Sequence, residues 1–156
     1  MVESRLFRIV PTAVAWMALA ATAGAADVNF VSIPVPSAGP KVSQAADMRA
    51  YRIEGARHIY ESYPHRVYRG KLPPLMHAIV VVETVLDETG QVKQINVLRA
   101  PSHAPDVTAA VREMIQRVTP FPTPARLGAV TWTETWLVDR SGRFQLDALS
   151  EGQRSE

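Results

Sequence analysis

Twelve prolines, most of them in clusters, decide which parts of this 156-residue chain can carry regular structure. Proline lacks a backbone N–H, fixes φ and pushes the residue before it out of the α region, so helices and central strands must fit between the clusters. Pro34, Pro36 and Pro40 stand among Ser, Ala, Gly and Val, and residues 26–46 therefore read as an extended, flexible tether. Tyr63-Pro64 ends any helix before it. Pro73 and Pro74 mark a turn region with Gly70, Pro101 to Pro105 a second break, and Pro120, Pro122 and Pro124 a third. What remains is one domain over residues 47–149, followed by a polar tail at 150–156 that reads as disordered.

Within that domain the hydrophobic spacing changes from stretch to stretch. Met48, Tyr51, Ile53, Ile59 and Tyr60 recur at loosely helical intervals, and Asp47 is placed to cap the helix they imply. Met76 to Leu86 is dense in β-branched residues and apolar on both faces, which predicts a central strand. Asp87-Glu88-Thr89-Gly90 then makes a tight hairpin, with Gly90 supplying a positive φ, and Val92 to Leu98 returns. Val107, Ala110, Val111, Met114, Ile115 and Val118 form the apolar stripe of a helix running 106–118. Ala129 to Val138 reads as a third long strand, Ser141-Gly142 as a turn, and Phe144 to Leu146 as a short fourth strand. The predicted fold is α+β, a small antiparallel sheet of three strands, or four with Phe144–Leu146, packed by two helices.

Composition narrows the chemistry. With no cysteine, disulfides, zinc-thiolate sites, iron–sulfur clusters and cysteine nucleophiles are excluded. A net charge of +2 lacks the dense basic footprint of a nucleic-acid binder, so no nucleic-acid partner is expected. Residues 1–25 read as an export signal: Arg5 and Arg8 lead an apolar run from Ile9 to Ala23, closed by the small residues Ala23-Gly24-Ala25. Cleavage after Ala25 would release a protein into the periplasm. The alternative is an uncleaved inner-membrane anchor, since Ile9 to Ala26 touches the length needed to span a bilayer.

Candidate reactive groups are sparse. His58, His65, His77 and His103 stand at no metal-binding spacing, so neither metal nor cofactor is expected. Ser102, His103 and Asp106 contain the residue types of a hydrolase triad, which keeps a small periplasmic hydrolase as an alternative. They are nearly contiguous in a proline-rich loop without a nucleophile elbow, so no catalytic residue is assigned. Asp106 suits the first turn of its helix instead. Between Arg49 and Lys71 six basic residues face two acidic ones, which makes Arg66, Arg69 and Lys71 candidates for weak contact with an anionic membrane surface.

The third strand carries the strongest binding signal. Trp132, Glu134 and Trp136 alternate with Thr131, Thr133 and Thr135, so the two sets lie on opposite faces. As the closing strand of a small sheet it should have a free edge, able to accept an added strand from a partner or a second copy of the chain.

Taken in order, Tyr63-Pro64, the hairpin of residues 79–98, the helix from Asp106, the Pro120-Phe121-Pro122 element and the last long strand resemble the C-terminal domain of the TonB/TolA family. The resemblance spans about residues 57–148. It implies a TonB-like periplasmic module for protein–protein interaction, whose closing strand, residues 130–137, pairs with an extended segment of an outer-membrane receptor or transport component, or swaps between protomers. Thr131, Trp132, Thr133, Glu134, Thr135, Trp136 and Tyr63 are the partner-binding residues on this reading. The runner-up is a membrane-anchored energy transducer for receptor transport. For that role the tether is short: residues 27–46 reach roughly 70 Å when fully extended.

Overall fold

A computed structural model describes residues 41–155. The expected export signal, the tether as far as residue 40 and Glu156 lie outside the described residues. None of the helices described is long and apolar enough to cross a membrane.

Helix α1 (Met48–Ser62) starts where its sequence caps it: the Asp47 carboxylate accepts the Ala50 N–H at 2.8 Å. It ends at Tyr63, the residue before Pro64. Its buried face is Tyr51, Gly55, Ala56 and Ile59, two of them small. A Cβ at Gly55 would stand 2.6 Å from Trp132 Nε1, so glycine lets the helix lie directly on that indole. The indole N–H in turn donates to Arg52 O at 3.2 Å.

Strands β1 (Ala78–Leu86) and β2 (Val92–Arg99) form the expected hairpin. Gly90 has φ +83°, and its N–H closes the turn on Asp87 O at 3.0 Å. The Thr89 hydroxyl, the Lys93 ammonium and the Gln91 N–H hold the Asp87 carboxyl well below the usual carboxylate range. Helix α2 (Pro105–Arg117) opens with proline, whose missing N–H costs nothing there, and with Asp106 in its first turn. It buries Val111, Met114 and Ile115, as the sequence stripe predicts. Strands β3 (Val130–Val138) and β4 (Phe144–Leu146) follow, and a single 3₁₀ turn, Asp147–Leu149, comes after β4.

The fold is α+β, with two helices and a four-stranded antiparallel sheet in the order β2-β1-β3-β4. β1 is internal, as its two-sided apolarity implies. Val80 opposes Trp136, Val82 opposes Glu134 and Thr84 opposes Trp132, so these buried residues share the face on which α1 packs against β3 and α2 against β1. Thr131, Thr133 and Thr135 lie on the other face.

Three expectations need correction. β3 is not the closing strand, because β4 pairs with it through Trp136–Val138 and takes the outermost position. Residues 41–46, placed in the tether by their composition, pack onto the domain. Ser43 N donates to Thr123 O at 2.9 Å, Thr123 N donates to Lys41 O at 2.7 Å, and Ser43 and Ala45 are buried. The described part of the tail is likewise held, by Leu72 N to Gly152 O at 2.8 Å and Arg154 N to Leu72 O at 2.9 Å. Both attachments run through backbone groups, which hydropathy cannot report.

Candidate functional site

β3 is a long strand with a short neighbour. It pairs with β1 over all nine residues in unbroken register, whereas β4 covers only Trp136, Leu137 and Val138. On the β4 side, Asp139 N donates to Arg143 O at 2.9 Å and Thr135 N to a side chain, Glu134 Oε1, at 2.9 Å. Successive strand N–H groups alternate in direction, so those of Thr133 and Thr131 point the same way. Among the described residues no strand pairs with Val130–Thr133 on that side. The free edge expected of the closing strand thus exists, but over half its length.

Beside this edge lies a cavity of about 310 Å³ lined by Met48, Arg49 and Arg52 of α1 and Thr131, Trp132 and Thr133 of β3. Its walls come from α1's first turns and the exposed threonines. Its floor is the buried indole of Trp132, which Gly55 and Phe121 fix from two directions, the Phe121 ring lying 5.2 Å away between centroids.

The edge is terminated by a carboxylate. Glu134 is fully buried, and its Oε1 accepts from Arg52 Nη2 at 2.7 Å, Thr135 N at 2.9 Å and Ala148 N at 3.3 Å. Arg52 Nη2 also reaches Asp147 Oδ2 at 2.8 Å. One side chain therefore occupies the Thr135 N–H that an added strand would otherwise take, and it anchors the 3₁₀ turn against β3. Burial pushes the Glu134 carboxyl up from its ordinary value, against the opposing pull of Arg52 and the two backbone N–H groups. Glu134 Oε2 and Arg52 Nε are buried without partners in the described structure.

The sequence-predicted site residues divide accordingly. Thr131 and Thr133 line the groove, and Thr135 sits at the end of the edge with its N–H already engaged. Trp132 and Trp136 are core residues at 0% exposure, and Trp136 lies beneath the part of β3 that β4 covers. They support the edge rather than present a binding surface. Tyr63 is elsewhere: its hydroxyl donates to Met114 O at 3.1 Å, tying the end of α1 to α2. Its place in the Tyr-Pro motif gave it a partner role, whereas its geometry is that of a helix-to-helix tie. Arg49, Arg52 and Met48 belong to the groove but not to the predicted set. The sequence signals for them were the α1 periodicity, for Met48, and the basic stretch that begins at Arg49, for the two arginines; neither ties them to β3.

The other candidates are also located. His103 shares a hydrogen bond with His77 O at 2.8 Å and meets the His77 ring at 5.6 Å between centroids, while Asp106 sits in the first turn of α2. No group of three or more histidine and acidic side chains that could hold a metal ion occurs among the described residues. No family model, no curated protein and no solved structure matches this chain.

Proposed function

We propose that this chain is an exported periplasmic interaction module that binds an extended segment of a protein partner by strand addition along Val130–Thr133 of β3. The observation that carries the reading is the mismatch between nine residues of β3 paired with β1 and three paired with β4. It leaves outward backbone groups at Thr131 and Thr133 without a strand to pair with among the described residues.

The opposite edge of the sheet is a poorer candidate. β2 is outermost there, but its pairing with β1 shifts register twice, between Val81 and Val82 and between Val85 and Leu86. The extra residues are Leu98 and Lys93, so two bulges, one carrying a lysine, interrupt that edge. Such features discourage strand pairing. The pairing of β3 with β1 is regular and its threonines carry no charge.

Two measurements test the reading. Amide hydrogen exchange should find Thr131 and Thr133 weakly protected, with Trp132 and Glu134, whose N–H groups point toward β1, strongly protected. Thr133→Pro removes an outward N–H without touching the β1 ladder. It should leave the circular dichroism spectrum intact while lowering affinity for a partner recovered from the native periplasm by about tenfold or more. Strong protection at Thr131 and Thr133 in the free protein, or undiminished affinity in a folded Thr133→Pro variant, would sink the proposal.

A further inference from the structure

Three segments distant in sequence run side by side at one end of the domain. Residues 66–74 lie in the middle. On one flank Tyr68 N donates to Phe144 O at 2.8 Å and Phe144 N to Arg66 O at 2.9 Å. On the other, Leu72 bonds to Gly152 and Arg154 through the backbone contacts already described. Arg66 Nη2 reaches Gly142 O at 3.1 Å, and the Arg143 guanidinium lies 5.1 Å from the centre of the Tyr68 ring.

This arrangement gathers Arg66, Arg69, Lys71, Arg140, Arg143 and Arg154, all of them exposed. Three acids belong to the same region: Asp139, Glu151 and Asp106, the last exposed in the first turn of α2 and lining one cleft with Arg66 and Gly142. Asp139 is buried and accepts from the Ser141 hydroxyl and from the Ser141 and Arg143 N–H groups, while Glu151 accepts from Gly70 N. Six cations against three acids still make a patch more basic than the chain as a whole, whose net charge is +2. From the same region projects the loop Pro73-Pro74-Leu75. Gln153 Nε2 spans Pro73 O and Pro74 O at 3.4 Å each, and Leu75 is 82% exposed, more than any other exposed large hydrophobic among the described residues.

We propose that this end of the domain is a membrane-contact surface, with its six cations on anionic lipid headgroups and Leu75 entering the boundary between headgroups and acyl chains. The charge selects an anionic partner. The leucine selects a lipid surface over an acidic protein: it projects from a two-proline loop rather than lining a groove, and a fluid interface can receive such a tip without a preformed pocket. The sequence shows only the first half of the patch, Arg66, Arg69 and Lys71. Arg140, Arg143 and Arg154 join it through the backbone contacts of β4 and the tail. The surface is separate from the β3 edge, so the two proposals stand or fall independently.

Vesicle co-sedimentation of the full chain tests it. Vesicles containing about 30 mol% phosphatidylglycerol should bind roughly tenfold or more tightly than pure phosphatidylcholine, and about 0.5 M salt should abolish the difference. Arg69→Glu combined with Lys71→Glu should remove the preference, and Leu75→Asp should weaken binding several-fold even at low salt. All three side chains are exposed, so the fold should persist by circular dichroism. Equal binding to neutral vesicles that survives the charge reversal would assign membrane affinity to the apolar N-terminal run and overturn the proposal. Binding untouched by Leu75→Asp would also overturn it, as would tight binding of a poly-glutamate peptide without vesicle binding.

Discussion

Arg52→Met should destabilise the domain by about 3 kcal/mol at neutral pH, because it strips from a fully buried carboxylate the only cationic partner it has among the described residues. The Glu134 side chain has no exposure to solvent, and without Arg52 the partners of its Oε1 among the described residues are the Thr135 and Ala148 N–H groups. Arg52 itself is 36% exposed and Asp147 56%, so the arm to Asp147 contributes little and the loss falls at the low end for a broken buried pair. A fall in Tm of roughly 12 °C would accompany it. The loss should depend on pH in a fixed direction. The Glu134 carboxyl is raised in the folded protein above its ordinary value of 4.5, and losing Arg52 raises it further. A carboxyl raised by folding favours the protonated state in the fold, so stability is fully present below the ordinary value and is lost as pH rises through the folded one. The variant loses stability over a wider window than the parent. The gap between them should therefore be small near pH 4 and widen toward neutrality. Chemical unfolding of both proteins at the two pH values measures it, and equal gaps would show that Glu134 is not the group left exposed to the cost. Adding Glu134→Gln should restore part of the stability at neutral pH, since it removes the orphaned charge.

That cluster also marks where the sequence stops being readable. The Trp132-Glu134-Trp136 alternation is plain in the chain, but it does not say why an acid stands between two buried indoles. The answer is an arginine 82 positions earlier, and no local pattern connects the two. The long elements were legible because their signals are periodic and local: the apolar stripe of α2, the β-branched run of β1 and the glycine-closed hairpin. α1 was legible at its ends, through Asp47 and Pro64, but less so on its face. It packs through Gly55 and Ala56, whose small size brings the helix close to Trp132, while Met48 from the apolar set stays 41% exposed. The order of the sheet was the main miss. Phe144–Leu146 is readable as a strand, yet three residues carry no information about which neighbour they choose. Their placement beside Trp136–Val138 moved β3 inward and shortened its open edge from a whole strand to Val130–Thr133. Residues 41–46 and 150–155 attach through backbone hydrogen bonds, to which the polarity of their side chains is no guide.

Gly90→Ala should be about as damaging, on the order of 3 kcal/mol, for a reason only half visible in the sequence. The visible half is the hairpin: Gly90 has φ +83°, where a residue with a Cβ is strained by roughly 1–2 kcal/mol. The hidden half is Phe121. A Cβ on Gly90 would stand 2.2 Å from Phe121 O, a backbone atom that cannot swing aside as a side chain can. The same close approach carries the Phe121 N to Gly90 O bond at 2.8 Å, so relief of the clash pulls apart the contact between the hairpin and the segment after α2. Phe121 is 1% exposed and meets both Trp132 and His58 at 5.2 Å between ring centroids, so a shift there reaches the floor of the β3 groove. Gly128 supplies the control. Its φ is +71°, but a Cβ there would meet nothing within 4 Å, so Gly128→Ala should cost only the strain, about 1 kcal/mol. Urea unfolding of the two variants separates backbone conformation from close packing. Equal losses would mean that the Phe121 segment yields freely and that the hairpin is not held against it.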